Sequence, residues 1–509
     1  MEQKSLKTPV YVYENVYENV SEIPVDVDFS LPEYCPDIEK ILKCRAVAEI
    51  SSKGANGNNV SLDGCVHITV LYCDKSGCLK SHIYQYPFGK TFETGLDISS
   101  GIVSACAKTD YVNCRAVNAR KVDIHGAVSV KVTVKCRKCH EVICDVDDEN
   151  IELRRGSLPA TSPMGYAEKY LITEESIEIG QGQPDIESLL RYDAQVSVRE
   201  CKLLANKAMV RGELNVTLLY CAVDGSLQTV RCNLPVSQML EIDGVTEECE
   251  CDATAQVAFL ELKPQTDQSG TAKCFNLNAK ILICCEAYCN KDTDVVLDAF
   301  SRRYKADIVS CDLSLDKIVS VISDTLNIRQ NVNLAANEIK KVCDIWCEIG
   351  EASSSISSGE LKIKGTLIVS VITDDGAETS FCEKAFDFEY SKKLAGDSDC
   401  LYASAEVTVL NVSYVISGAS CLEIRAELNI NACISEKTCL PVISELTVDT
   451  ENKISRKING AMTIYFANEG EEVWDIARKY TASIEEIKKI NDIKNDILTA
   501  DRMILIPVN

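Results

Sequence analysis

The stretch from Gly64 to Cys73, Gly-Cys-Val-His-Ile-Thr-Val-Leu-Tyr-Cys, decides the fold because it recurs 148 residues later. The second version, from Gly212 to Cys221, reads Gly-Glu-Leu-Asn-Val-Thr-Leu-Leu-Tyr-Cys. In both stretches apolar residues tend to alternate with polar ones, which is the pattern of a β-strand with one face on a core. A strand repeated in this way indicates two copies of one structural unit.

The same offset holds outside the strand and defines the start of each copy. Pro36-Asp37-Ile38-Glu39 falls on Pro184-Asp185-Ile186-Glu187 without a gap. A third copy is weaker: Gly365 to Val371 resembles Gly212 to Leu218, but no clear Pro-Asp-Ile precedes it. Proline at an early position and an acidic residue beside it favour a helix start, so we expect a short helix at each Pro-Asp-Ile.

Each copy carries a further alternating segment near its end, at Val128–Val134, Phe275–Ile283 and Leu422–Ala432. Glycine-containing turns at Asp74–Gly77 and Val223–Gly225 separate neighbouring strands as hairpins. Many short antiparallel strands must bury one face against another sheet. The sequence therefore predicts a mainly β chain with three tandem β-sandwich or open-barrel-like repeats.

The chain divides into these repeats and a different C-terminal unit. We predict β modules at residues 1–160, 161–305 and 306–450, a linker at 451–461 and a small domain at 462–509. In the last unit, Thr463–Ala467 and Ile504–Ile506 have the pattern of strands, whereas Glu472–Tyr480 and Ile484–Ile490 have that of helices. The order of this unit is β-α-α-β.

Composition limits the function classes. The 509 residues include 27 cysteines and carry a formal net charge of −24, which disfavours nucleic acid as a partner. No stretch approaches the roughly 18 apolar residues of a membrane span, and Met1–Lys7 has no apolar signal core. We therefore expect a protein without a signal peptide, in a reducing compartment, whose cysteines mostly pack as small hydrophobic residues.

The C-terminal unit resembles a LysM domain, a small carbohydrate-binding module of cell-wall proteins. The resemblance rests on Gly470, the Ile476–Tyr480 helix, the Ile487–Asn491 segment and Ile504-Leu505-Ile506-Pro507. It implies a shallow groove for N-acetylglucosamine chains, formed by the loops at 468–473 and 491–498. The candidate glycan- or partner-binding residues are Asn468, Gly470, Glu471, Glu472, Val473, Asn491, Ile493, Asn495 and Ile497.

Three positions depart from the LysM pattern. Glu471 and Glu472 stand where the family usually has Asp and Thr or Ser, and Asp501 replaces a glycine before the last strand. The changes remove a hydroxyl donor and add carboxylate bulk. Glycan binding is therefore left open, whereas the fold assignment is not affected.

The whole chain resembles the SPOCS-repeat spore-coat morphogenetic proteins of clostridia and their relatives. The shared features are the Pro-Asp-Ile repeats, Asp298-Ala299-Phe300-Ser301 before the third repeat, and the LysM unit. The resemblance implies a location in the mother-cell cytoplasm at the forespore surface, in the spore coat. It also implies binding to the coat-basement ATPase scaffold or other coat proteins.

One local cysteine pattern has the spacing of a metal site. Cys136, Cys139, His140 and Cys144 give half a zinc motif, and the first three also match a c-type haem attachment site. The pattern follows the Val128–Val134 strand directly. We therefore expect a structural hairpin turn here, with zinc as the alternative and haem disfavoured, since haem attachment needs export.

These observations favour a non-enzymatic spore-envelope scaffold that uses no cofactor. All four histidines lie in the first copy, so a nucleophile-histidine-acid site cannot be built in the others. Two other hypotheses remain. The chain could be a peptidoglycan-binding protein of the cell or spore wall, or an intracellular protein that works through zinc or thiols.

Overall fold

The computed structural model confirms a mainly β chain with two short helices among the described residues. Among these residues no helix is long and apolar enough to span a membrane. The structure describes residues 5–266, 271–334, 339–376, 378–395, 400–454 and 462–507.

The first module consists of two three-stranded antiparallel sheets. One sheet has the order β2-β3-β4 and the other has the order β1-β6-β5. Their strands are β1 (Ser5–Ser30), β2 (Lys40–Asn56), β3 (Asn59–Cys73), β4 (Leu79–Glu93), β5 (Ile102–Asn118) and β6 (Lys121–Val146).

The second module repeats this topology with sheets β8-β9-β10 and β7-β12-β11. Its strands are β7 (Ile151–Glu178), β8 (Ile186–Leu204), β9 (Lys207–Ala222), β10 (Leu227–Glu241), β11 (Glu250–Thr266) and β12 (Ala272–Ser301).

The third module has sheets β14-β15-β16 and β13-β18-β17, so the divergent copy has the same strand order as the other two. Its strands are β13 (Tyr304–Asn333), β14 (Lys341–Ser357), β15 (Glu360–Asp374), β16 (Thr379–Lys393), β17 (Leu401–Gly418) and β18 (Cys421–Lys453).

Each module buries its core between its two sheets, as the alternating pattern predicts. Val128, Val130, Val132 and Val134 are buried, whereas Lys131 between them is exposed. These valines pack with residues of the other sheet of the first module. Equivalent clusters fill the second and third modules.

The predicted hairpin turns are present, and they depend on glycine. Gly77 has φ +79° and Gly225 has φ +80°, values that favour a residue without a Cβ atom. Gly77 N donates to Asp74 O at 2.9 Å and closes the first turn. Gly225 N donates to Ala222 O at 2.8 Å in the second module.

The helix expected at each Pro-Asp-Ile is wrong. Pro36 to Ile38 has no helical turn, and Ile186 begins strand β8. A long-range contact outweighs the local preference here: Tyr72 Oη donates a hydrogen bond of 3.1 Å to Pro36 O. Tyr220 Oη makes the same bond to Pro184 O at 3.1 Å. The repeated Leu-Tyr-Cys strand therefore anchors the repeated Pro-Asp-Ile segment.

The three modules meet at a common centre. Leu71, Leu219 and Ile372 occupy equivalent positions on β3, β9 and β15, and all three are buried in one cluster. Opposite them on the neighbouring strands stand Lys43, Arg191 and Asp344. The repeats thus pack around a pseudo-threefold centre and do not form a row of separate domains.

A buried ion pair crosses this centre. Arg191 is 1% exposed and Asp344 is 3% exposed. Arg191 Nε lies 2.6 Å from Asp344 Oδ2, and Nη2 lies 3.1 Å from Oδ1, so the pair is bidentate. Burial alone would lower the pKa of Arg191, but Asp344 and Asp193 beside it outweigh burial and raise the pKa. The pair fixes the second module against the third.

Strand pairing starts the second module at Ile151 and the third at Tyr304. Both residues precede the boundaries predicted from the sequence at 161 and 306, and that division stays a prediction. Part of the predicted linker at 451–461 lies outside the described residues.

The C-terminal domain has the predicted β-α-α-β order. Strand β19 (Met462–Ala467) pairs antiparallel with β20 (Arg502–Pro507). Between them lie helices α1 (Val473–Tyr480) and α2 (Ile484–Ile490). Val473, Ile487 and Ile504 are buried in the domain core.

Candidate functional site

The two loops of the predicted groove lie side by side. Gly470 N donates to Leu498 O at 2.8 Å, and Leu498 N donates to Glu471 O at 3.0 Å. Val473 N donates to Asp496 O at 2.8 Å. These backbone bonds join the loop after β19 to the loop after α2, so the structure brings the candidate residues into one region.

The candidate residues divide into surface and core positions. Asn468, Gly470, Asn495 and Ile497 are exposed, and Ile497 is 53% exposed although its side chain is apolar. Val473, Asn491 and Ile493 are buried instead. A ligand in the groove can reach the first group, whereas the second group supports the loops.

Asn491 shows how that support works. Its Nδ2 atom donates to Ile487 O at 2.8 Å and to Leu505 O at 2.7 Å. Its Oδ1 atom accepts from Leu505 N at 2.7 Å. Asn491 thus joins the end of α2 to β20, which is a structural task rather than a ligand contact.

Glu471 and Asp501, two of the three residues that depart from the LysM pattern, form hydrogen bonds within the domain. Glu471 accepts hydrogen bonds from Tyr465 Oη and from Asn468 Nδ2, each at 3.0 Å. Donation of this hydrogen bond to the Glu471 carboxylate raises the pKa of Tyr465. Asp501 Oδ1 accepts from Glu469 N at 2.7 Å. Both carboxylates therefore hold the first loop in place.

The third departure connects the domain to the second module. Glu472 Oε2 forms an ion pair of 3.0 Å with Arg154 Nη2 on β7. Nearby, Trp474 Nε1 donates to Asp298 Oδ2 on β12 at 3.0 Å, and Arg478 also pairs with Asp298. One rim of the groove is therefore held by the second module, which is part of the body formed by the three modules, called the repeat body below.

The apolar part of this junction is an aromatic pair. The rings of Phe300 and Trp474 lie 5.2 Å apart in an edge-to-face arrangement, and Phe300 belongs to the core cluster of the C-terminal domain. Glu152 on β7 also accepts hydrogen bonds from Ser483 and from the backbone of Ile484 at the start of α2, while burial raises its pKa. The domain is docked on β7 and β12.

Sequence reasoning did not find these docking residues. Asp298 and Phe300 stand out only as part of the Asp-Ala-Phe-Ser motif, and nothing local links them to Trp474, which is distant in the chain. Arg154 and Glu152 carry no motif. The only available signal was the position of Asp-Ala-Phe-Ser at the end of a repeat.

The residues of the alternative zinc site are not brought together. Residues 136–144 lie within β6 and pair with β1, so the expected hairpin turn is wrong. Cys136 is buried in the core of the first module, and Cys139 is exposed. His140 Nε2 lies 2.9 Å from Glu14 Oε1, and Cys144 Sγ donates to Leu6 O at 3.3 Å. The four side chains therefore have different neighbours and do not share one site.

Comparison with known proteins supports the two domain types. A family model described as "SipL, SPOCS domain" matches residues 37–117 and 185–264, and a LysM domain model matches residues 468–507. No curated protein matches the chain, and no solved structure does. The SipL family is associated with sporulation, and both matched families are non-catalytic binding domains.

The matched regions agree with the geometry described above. The two SPOCS matches begin at Asp37 and Asp185, inside the repeated Pro-Asp-Ile segments, and the LysM match covers both groove loops. The chain therefore contains two regions that match the SPOCS domain model and a C-terminal region that matches the LysM domain model.

Proposed function

We propose that this protein is a non-enzymatic assembly scaffold of the spore envelope that binds coat morphogenetic proteins. In this proposal the SPOCS modules supply the protein-binding surfaces, and the LysM domain is a docking or localisation element. The observation that carries the proposal is the attachment of the LysM domain to the second module through Asp298, Phe300 and Arg154. A domain held in this way presents its surface together with that of the repeats.

The repeat body offers surfaces suited to protein partners. Each three-stranded sheet ends in edge strands, among them the equivalent strands β5, β11 and β17. An extended peptide can add to such an edge through backbone hydrogen bonds. On β17, Val415 and Ile416 are exposed apolar side chains that could supply specificity.

The partner and the location in this proposal come from the family resemblance. We infer that the protein acts in the mother-cell cytoplasm at the forespore surface. There it would bind the coat-basement ATPase scaffold or another coat protein. A fluorescent fusion of the full chain, followed through sporulation, tests the location. The proposal expects a shell around the forespore, and diffuse fluorescence throughout the mother cell would contradict it.

Peptidoglycan binding is the second candidate function. The exposed Asn468, Gly470, Asn495 and Ile497 at the joined loops favour it, because they leave part of the groove open to a sugar chain. Co-sedimentation of the full chain with purified peptidoglycan tests it. Ile497→Asp should abolish sedimentation if the groove binds glycan.

Phe466→Asp provides the matched control for that variant. Phe466 lies on β19, outside the loops, and is 75% exposed. The control introduces the same charge at another exposed apolar position of the same domain. Equal sedimentation of the two variants would show that the groove is not the glycan-binding site.

A further inference from the structure

Three cysteines of the second module converge although they are far apart in the sequence. Cys201 lies on β8, Cys251 on β11 and Cys285 on β12, so both sheets of the module contribute. Cys251 Sγ lies 2.9 Å from Cys201 Sγ, which lies 3.7 Å from Cys285 Sγ. All three sulfur atoms fall within 4.8 Å of one another.

The cluster sits at the margin of the module core. Cys285 is fully buried, whereas Cys201 and Cys251 are half-buried. A cysteine that serves only as a small hydrophobic residue needs no other thiol beside it. Here three strands direct their thiols to one point, and the half-buried pair leaves a route from solvent. Both features are expected of a site that receives an ion.

Thiolates are soft ligands that select ions such as Zn²⁺ and Cu⁺. Tetrahedral zinc with Zn–S bonds of about 2.3 Å places its sulfur ligands roughly 3.8 Å apart. The distance from Cys201 to Cys285 already fits, and Cys251 would have to withdraw from Cys201 by about 0.9 Å. Because Cys201 and Cys251 are half-buried, water from the solvent side can serve as the fourth ligand, as in zinc sites with three protein ligands.

We propose that Cys201, Cys251 and Cys285 form a three-thiolate site for Zn²⁺ in the second SPOCS module. The ion ties β8 in one sheet to β11 and β12 in the other. It acts at the margin of the module core and is independent of the LysM groove. The site also differs from the cysteine-histidine pattern at residues 136–144, whose members lie apart in the first module.

A disulfide between Cys201 and Cys251 is the competing chemistry. It would require the two sulfur atoms to close to about 2.05 Å, with loss of two electrons to an oxidant. It would also use only two of the three converging thiols. Cys249 and Cys289, whose sulfur atoms lie 2.8 Å apart, are a two-thiol pair in the same module and provide a matched control.

Metal content of the full-length protein tests the proposal. The chain is purified under reducing conditions, supplied with Zn²⁺, freed of excess ion and measured by elemental analysis. We expect about one Zn²⁺ per unmodified chain. Cys251→Ser and Cys201→Ser should each reduce the zinc content at least tenfold, since each removes one of the three ligands. Cys289→Ser and Cys139→Ser should retain the ion. Circular dichroism checks that the variants fold.

An absorption spectrum reports metal binding independently of the stability of the variants. Co²⁺ in place of Zn²⁺ should give a thiolate-to-metal absorption band that is lost in Cys251→Ser and kept in Cys289→Ser. Absence of bound metal in the unmodified chain would overturn the proposal, as would full metal content in both Cys201→Ser and Cys251→Ser. A Cys201–Cys251 disulfide in the reduced preparation, seen by mass spectrometry, would overturn it as well.

Discussion

Trp474 in the LysM domain donates a hydrogen bond of 3.0 Å from its indole Nε1 to Asp298 Oδ2 at the end of the second SPOCS module. The bond lies beside the ring contact between Trp474 and Phe300. Together they make the LysM domain part of the repeat body.

Asp298→Ala should loosen the LysM domain. The substitution leaves the buried indole N–H without its acceptor and removes the partner of Arg478, at a cost of about 1–3 kcal/mol in docking free energy. Hydrogen exchange of α1 should become faster. Asp294→Ala, at an exposed position on the same strand, is the control and should have no effect. Unchanged exchange in Asp298→Ala would show that the junction does not hold the domain.

Asp344→Asn should destabilise the arrangement of the modules. It leaves Arg191 buried without its bidentate partner, and removing one member of a buried pair costs about 3–5 kcal/mol. The midpoint of urea unfolding should fall. Asp307→Asn, which breaks an exposed pair with Lys305, should change the free energy of unfolding by less than about 1 kcal/mol. Similar losses in the two variants would contradict the assigned role of the centre.

Tyr72→Phe and Tyr220→Phe should each weaken the attachment of a Pro-Asp-Ile segment. Each removes one hydrogen bond to a proline carbonyl while keeping the buried ring, so we expect a loss of about 1 kcal/mol. Thermal unfolding of the two variants measures it. Tyr34→Phe, at a residue that is 82% exposed, is the control. A loss as large in the control would mean that the hydrogen bond has no special role.

His67 should make the stability of the first module depend on pH. Burial lowers the pKa of His67, but the neighbouring Cys65 and Glu49 outweigh burial and raise the pKa to about 9. A raised pKa stabilises the folded state fully below the ordinary value of about 6.5, and this contribution is lost as pH rises through about 9.

His67→Gln should remove that contribution, which is on the order of 1–3 kcal/mol. Unfolding of the unmodified chain and of the variant at pH 6 and pH 9.5 measures the difference. The gap between the two proteins should be large at pH 6 and small at pH 9.5. A gap that does not change with pH would show that His67 is neutral in the folded protein.

Repetition and alternation predicted the sandwich modules and hairpins, because these depend on short-range pattern. Strand β1 was missed because its partner β6 lies far along the chain, and pairing with β1 also converts the expected turn at Cys136 into strand. The Pro-Asp-Ile helix was predicted from local preference, which the bond from Tyr72 overrides.

The LysM loops could be predicted because one compact motif contains them. The contacts of Glu472 with Arg154 and of Trp474 with Asp298 could not, since they join segments with no shared pattern. The convergence of Cys201, Cys251 and Cys285 is likewise a product of strand order across two sheets, and the spacing of these cysteines in the sequence resembles no metal motif.

Binding of the purified full-length chain to the purified coat-basement ATPase scaffold, measured beside its binding to intact peptidoglycan, distinguishes a coat scaffold from a peptidoglycan-binding protein. A coat scaffold should bind the coat protein saturably, and Ile497→Asp should leave that binding intact because the repeats supply the surface. Tight, Ile497-dependent binding to peptidoglycan with no binding to the coat protein would contradict the scaffold function.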